Sequence, residues 1–184
     1  MRVVVEIKSL SDAELAGRAL DGDRTAFACL LDRHYDLFER AAYRCSGRRD
    51  EAEDVTQDVC LRLPKALRSW SREGQFETWA YKVVLNAARD HGRKRARDGR
   101  LKDAWAAEPP QDPDTSSEDA AVARLWAAVR HLPPKQRMAV TLVYGEGLSH
   151  ADTAAAMDCA EATVSYHVHA ARTRLRTLME EEAA

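Results

Sequence analysis

Glycine and proline are scarce, at eight and six among 184 residues. A chain so poor in turn-formers is not a many-stranded barrel or sandwich, and its Ala, Leu, Arg and Glu favour helix. Cysteine is also sparse. Cys29, Cys45, Cys60 and Cys159 are scattered with no CxxC pair, which excludes a disulfide scaffold and a zinc ribbon. They are expected to be reduced and mostly buried, in a cytoplasmic chain. No apolar run approaches the roughly 18 residues that span a bilayer, so direct membrane insertion is not expected. The opening MRVVVEIKSL carries Glu6 and Lys8 within its short apolar patch, unlike a signal peptide. Enzyme signatures are missing too: there is no GxxxxGK loop, no HExxH and no GxSxG. Neither sign of charge dominates, the net being -2, so the whole chain is no polycation.

What is present is helical periodicity. Ser11 and Glu14 make a capping box opening a helix that Asp21-Gly22-Asp23 should stop. A second helix starts near Arg24, carries Phe27, Leu30, Leu31, Tyr35 and Phe38 at helical spacing, and breaks at Gly47. A third covers residues 50–63, with Pro64 or the stretch after it expected to end or bend it. A long fourth covers residues 76–97. Residues 103–119 then hold six acids, three prolines and two serines with no base, which is linker composition. Helices resume over residues 120–132, 135–144, 149–157 and 161–179. The expectation is an all-α fold of two small helical domains, 9–100 and 120–184, joined by a flexible acidic linker, 101–119.

Three surfaces stand out. The first is EAEDVTQDVCLRL, residues 51–63. Ala52, Val55, Val59 and Leu63 line one face, and Asp54, Gln57, Asp58 and Leu61 line another. Five acids and no base lie between Asp50 and Leu61, so the second face reads as acidic, exposed and uncompensated. Its acids are candidate metal ligands only in principle, because no histidine or further acid is placed to complete a site. The second surface is on the fourth helix. Ala80, Val83, Val84 and Ala87 point to a core, while Lys82, Asn86, Arg89 and Arg93 share another face. Seven bases against two acids between Arg89 and Lys102, including Lys94 and Arg95, make a basic run beside Phe76, Trp79 and Tyr81. Basic charge tracks phosphates and aromatic rings stack on exposed bases. A solvated helix end beside core aromatics is the plainer reading of the same residues.

The third surface is a helix-turn-helix pattern, with a turn at Asp158-Cys159-Ala160. Val164, Val168, Ala171, Leu175 and Leu178 form the buried stripe of its second helix. Glu161, Thr163, Ser165, Tyr166 and His169 fall where base edges would be read, and Arg172, Arg174 and Arg176 suit phosphates. His167 and His169 face different sides and make poor joint ligands.

Together these stretches resemble one family. DRTAFACLLDRHYDLFERAAYR, EAEDVTQDVCLRL, FETWAYKVVLNAARDHGRKR and HLPPKQRMAVTLVYGEGLSHADTAAAMDCAEATVSYHVHAARTRLR are similar, in order and spacing, to the extracytoplasmic-function (ECF) sigma factors of the sigma-70 family of bacterial RNA polymerase. The resemblance covers nearly the whole chain. It implies a factor without enzymatic activity or cofactor that directs core polymerase to promoters. The acidic face, Asp54, Gln57, Asp58 and Leu61, would dock on a basic coiled coil of the polymerase's largest subunit. Trp79, Lys82, Asn86, Arg89, Arg93, Lys94 and Arg95 would open and hold the minus-ten element. Arg137, Thr163, Ser165, Tyr166, His169, Arg172 and Arg174 would meet the minus-thirty-five element. The linker would thread toward the active-site channel, and an anti-sigma factor would hold the protein inactive. Ser165, Tyr166, His167 and Ala170 stand where the family often has basic residues, Asp152 or Thr153 replaces a glutamate, and Cys60 replaces a phenylalanine. Fewer bases mean fewer phosphate contacts and a flatter salt dependence. The alternative is a stand-alone helix-turn-helix regulator, which would bind duplex tightly without polymerase.

Overall fold

The computed structural model describes residues 7–71, 74–97 and 117–182, with the side chains of 117–121, 123, 181 and 182 excepted. Among the described residues eight α-helices are bounded as follows: α1 Asp12–Leu20, α2 Arg24–Ser46, α3 Arg49–Ala66, α4 Phe76–Arg97, α5 Ser117–Arg130, α6 Pro134–Val140, α7 His150–Met157 and α8 Glu161–Glu182. No strand occurs among the described residues.

Local chemistry sets the boundaries. The Ser11 hydroxyl accepts from the Glu14 amide while the Ser11 amide donates to the Glu14 carboxylate at 2.8 Å, so the expected capping box forms. The Asp23 side chain caps α2, accepting from the amides of Thr25 and Ala26. Gly47 ends α2 at φ 74°, a left-handed conformation that a side chain would strain. Pro64 lies inside α3, and the stretch after it ends the helix, the second of the two expected outcomes. The helix runs on to Ala66 and tightens into a 3-10 turn over Leu67–Ser69. A proline so near the end forfeits only one helical hydrogen bond, and Leu63 and Leu67, both buried, pin the chain on either side. α5 begins at Ser117, three residues before the sequence expectation. Pro134 starts α6, where its missing N–H has no partner to lose. The expected single helix over 135–144 changes pitch after Val140 into a π turn, Thr141–Gly145. The rest of the expected linker lies outside the described residues.

α1 to α4 pack around Leu15, Leu30, Phe38, Val55, Val59, Leu63, Val84 and Leu85, all essentially inaccessible. Each such side chain contributes about 1.5–3 kcal/mol. His34 is buried among them, its ring 4.5 Å from Phe76 and its Nε2 3.0 Å from the Asp12 carboxylate. α6 to α8 bury Ala139, Leu142, Ala154, Met157, Val164 and Val168. These join the same continuous apolar cluster as the first four helices. A smaller cluster, Ala128, Val129, Leu132, Val140, Ala171 and Leu175, holds α5, α6 and α8 together. The two helical units are thus packed on one another, chiefly through α4 against α7. The four cysteines are unpaired, as expected, but half-buried rather than buried. Among the described residues no helix is long and apolar enough to cross a membrane.

Candidate nucleic-acid and protein interface

On α3 the apolar face folds inward as its period dictates: Ala52, Val55, Thr56, Val59 and Leu63 are buried. The opposite side is less bare than the sequence suggests. Glu51 is ion-paired with Arg95 of α4, Asp50 with Arg48, and Glu53 with Arg49. Asp58 is only 22% exposed, gripped by Arg62 at 2.7 Å with His91 at 3.4 Å. The expectation of an uncompensated acidic row therefore fails for two reasons: Arg48, Arg49 and Arg62, within four residues of their partners, pair with Asp50, Glu53 and Asp58, and Arg95 and His91 reach over from α4 to Glu51 and Asp58. Asp54 is the exception, exposed and in no ion pair among the described residues. Gln57 is exposed beside it, and Leu61 is 81% exposed one turn on. The surface left open is one carboxylate, one amide and one leucine.

α4 sorts its residues the same way. Ala80, Tyr81, Val84, Leu85 and Ala87 are buried. Trp79 is half-buried in an aromatic cluster with Trp70 at 6.1 Å and Phe76 at 5.3 Å between ring centroids. One edge of it, with Lys82, Val83 and Asn86, lines a recess of about 240 Å³ between α3 and α4. Arg89 donates to the Asn86 side chain at 3.1 Å, which orients both exposed groups. Arg93 is paired with Asp90, whose carboxyl that contact holds below its usual range. Lys94 is exposed and makes no ion pair among the described residues, whereas Arg95 is engaged by Glu51. The seven sequence candidates therefore divide. Trp79, Lys82 and Asn86 meet at the recess, Arg89, Arg93 and Lys94 continue along the helix, and Arg95 braces α4 against α3.

In the C-terminal unit Ser149 caps α7, and Asp158 turns the chain at φ 56°, a left-handed position that Asp tolerates better than most residues. Val164, Val168, Ala171 and Leu175 form the buried stripe, with Leu178 half-buried. Ser165, Tyr166, His169, Arg172 and Arg174 are exposed along α8, Tyr166 at 67%. Ser165 is held by His150 Nδ1 at 3.0 Å. Arg137 does not join them. It sits half-buried on α6, donates to the Arg130 carbonyl oxygen at 3.0 Å, and with Thr163 and His167 lines a cavity between the units. Burial pulls its guanidinium below the ordinary arginine value. Thr153 is fully inaccessible, and the half-exposed Asp152 carboxylate accepts from the Ser149 hydroxyl that caps α7. Among the described residues no group of three or more His, Cys, Asp or Glu is arranged to hold a metal ion.

Where the units meet, Tyr81, Lys82 and Asp158 are joined by three residues to which sequence reasoning gave no role, Glu146, Arg44 and Trp126. Glu146 is 5% exposed, ion-paired with Arg44, and accepts from the Tyr81 hydroxyl at 2.7 Å. Burial and that carboxylate both push the Tyr81 phenol well above its usual value. The Arg44 guanidinium lies 4.9 Å from the Trp126 ring centroid, and Lys82 reaches Asp158 at 3.2 Å. The one available signal was the Gly145-Glu146-Gly147 turn, a lone acid between glycines, but nothing local says it will be buried.

The comparisons agree with this layout. Residues 30–98 match the family profile Sigma-70 region 2, and residues 123–175 match Sigma-70, region 4. The chain is 34% identical over 171 residues to "ECF RNA polymerase sigma factor SigM" of Mycobacterium tuberculosis, covering 92% of this chain and 85% of that one. It belongs to the ECF sigma factors of the sigma-70 family. Two solved structures are similar at a TM-score of 0.66: the sigma factor RpoE in complex with the anti-sigma factor NepR from Bartonella quintana, at 26% identity over 82% of this chain and 94% of that one, and CnrH in complex with the cytosolic domain of CnrY, at 27% identity over 92% and 97%. As a sigma factor its partners are core RNA polymerase and promoter DNA. The region 2 match spans α3 and α4, and the region 4 match spans the helix-turn-helix.

Proposed function

We propose that this sigma factor docks on core polymerase through Asp54, Gln57 and Leu61 of α3, with Asp58 shaping the rim, and that the docking partner is the basic coiled coil of the largest subunit. The carrying observation is that Asp54 stays exposed and without an ion pair while every neighbouring acid from Asp50 to Asp58 is engaged. A single exposed carboxylate beside an exposed leucine suits a partner surface with basic and apolar patches, charge steering the encounter and the apolar contact slowing release.

Promoter opening falls to α4. A base leaving the duplex stacks on Trp79 in the recess with Lys82 and Asn86, and Arg89, Arg93 and Lys94 hold the strand's phosphates. Ser165, Tyr166, His169, Arg172 and Arg174 read the minus-thirty-five duplex. Arg137 and Thr163 reach it only once the units separate, and Arg95 acts by bracing α4. Residues 9–100 form the polymerase-binding and melting domain, residues 120–184 the minus-thirty-five domain, and 101–119 the linker. The factor performs no chemistry of its own and works in the cytoplasm, where the polymerase is. An anti-sigma factor restrains it, a reading supported by the similarity to a sigma factor solved with NepR.

The test is a pull-down with core polymerase followed by run-off transcription on genomic fragments. Wild-type protein is expected to bind core and give new, sequence-specific starts, and Asp54→Arg to lose both while folding normally. Normal binding by Asp54→Arg removes the docking assignment.

A further inference from the structure

A cavity of about 1060 Å³ lies between the two units. One wall comes from the end of α2, the start of α3 and the outer half of α4. The other comes from α6 and the turn before α8. Its charge is one-sided: seven lysine or arginine side chains line it against two carboxylates, and of the seven Arg48, Arg93 and Arg95 hold ion pairs with Asp50, Asp90 and Glu51. Both carboxylates are already engaged, Glu51 by Arg95 and Asp158 by Lys82. Arg89 and Arg93 face in from α4, and Lys135 and Arg137 from α6. Lys135 makes no ion pair among the described residues, and the Arg137 guanidinium donates to a backbone carbonyl rather than to an acid. Cations converging from two walls of a partly enclosed space repel one another more strongly than in bulk water. A multivalent anion removes that repulsion, and arginine forks match phosphate oxygens. No Phe, Tyr or Trp lines the cavity, so its phosphate-matching groups outnumber its aromatic rings, which are those of His131 and His167. The volume lies at the upper end of that of small-ligand pockets.

We infer that this cavity binds a small polyphosphate, a phosphate chain free or carried by a nucleotide, and that the bound chain ties the two units together. Arg89 and Arg93 belong also to the strand-holding set of the proposed function, so on that reading a bound polyphosphate competes with promoter DNA. The binding itself does not depend on that reading.

The test is titration calorimetry and thermal unfolding of the full chain with sodium tripolyphosphate, with ATP in parallel, at fixed ionic strength. Tripolyphosphate is expected to bind saturably below millimolar concentration and to raise the Tm. Lys135→Gln and Arg137→Gln are each expected to weaken binding about tenfold, as loss of one charged hydrogen bond does. Lys135 is exposed, so its variant folds even where Arg137→Gln does not. Arg24→Gln and Arg68→Gln, exposed and outside the cavity, are expected to bind as wild type. ATP binding as well as tripolyphosphate identifies the phosphate chain as the recognised part. Three outcomes overturn the inference: no saturable binding, an equal Tm rise with sulfate at matched ionic strength, or undiminished binding by Lys135→Gln and Arg137→Gln. ATP binding without tripolyphosphate binding overturns it as well.

Discussion

Replacing Glu146 with alanine should unlock the two units without unfolding either. The carboxylate is 5% exposed, with Arg44 on one oxygen and the Tyr81 hydroxyl on the other. Removing one partner of a buried pair costs about 3–5 kcal/mol when the remaining charge is stranded. Arg44 is not fully stranded, because its side chain is 27% exposed and reaches water once the units part. A discounted figure of about 2–3 kcal/mol is then appropriate, close to that of a hydrogen bond to a charged group. At about 1.4 kcal/mol per tenfold, the closed-to-open ratio falls roughly thirty- to a hundredfold. Glu146→Gln keeps an acceptor for Tyr81 and loses only the charge, so it should fall between wild type and alanine.

Small-angle scattering reads the outcome directly. A closed chain of 184 residues has a radius of gyration of about 16 Å by compact-domain scaling, and two tethered, separated units must exceed it. Glu146→Ala should therefore expand the particle while circular dichroism keeps its helical signal. An unchanged radius in both variants refutes the argument. A lower Tm at unchanged radius refutes it differently, by making Glu146 a support of the C-terminal unit instead of the join.

Gly145→Ala should act in the same direction, since a Cβ there would stand 2.6 Å from Arg44 Nη1 and 2.8 Å from Trp126 Cη2; the scattering radius again reports it. Raising the pH should loosen the join as well. Tyr81 holds its proton more tightly when folded, so its contribution is complete below the free-tyrosine value of about 10 and is lost as pH climbs beyond it; scattering between pH 9 and 11 is expected to show the onset, and a flat profile would exclude the tyrosine. Asp54→Arg should leave the unfolding free energy, read by denaturant titration, within about 0.5 kcal/mol of wild type, as exposed substitutions do, whereas Asp58→Arg should lower it by breaking the contacts with Arg62 and His91, so only the first is a clean probe of polymerase binding. Arg89→Ala with Arg93→Ala should weaken promoter opening, read by permanganate footprinting, more than core binding; equal loss of both would assign the pair a folding role. Burial pushes the Cys45 thiol up to about 12, so it should resist iodoacetamide in wild type and react faster in Glu146→Ala.

The helices were legible in the sequence because their signals are local. Ser11 with Glu14, Asp23, Gly47 and Ser149 each act within four residues, and each cap formed where the residue type placed it. The apolar stripes of α3, α4 and α8 were legible for the same reason, through periodicity alone. Burial of charge was not. Asp58 and Asp54 are the same residue type four positions apart on one helix; Arg62, one turn after Asp58, is a partner the stretch itself offers, but nothing in EAEDVTQDVCLRL says that His91 of α4 will also close on Asp58 and leave Asp54 open. The family resemblance implies DNA contacts for Arg137 and Arg95, yet Arg137 lines the cavity between the units, as does Arg95, which also clamps Glu51. Glu146 was invisible for the strongest form of this reason, since its partners lie 65 and 102 residues away.

The same contacts bear on how the protein is used. Lys82 is a recess residue and also the partner of Asp158, in the turn that orients α8. Tyr81, its neighbour, is held by Glu146. The join between the units thus occupies the face of α4 that the proposed mechanism presents to the promoter, so closing the units and gripping DNA compete for one surface. The competition is graded. Lys82 and Asp158 are exposed enough that their pair is worth at most about 1 kcal/mol, and salt weakens it further. The buried Glu146 cluster is the larger barrier and the less salt-sensitive one. Raising salt should therefore release Lys82 well before it separates the units. Lys82→Ala should leave the radius of gyration near wild type while impairing promoter opening. If Lys82→Ala instead expanded the particle as much as Glu146→Ala, the ranking of the two contacts by burial would be wrong.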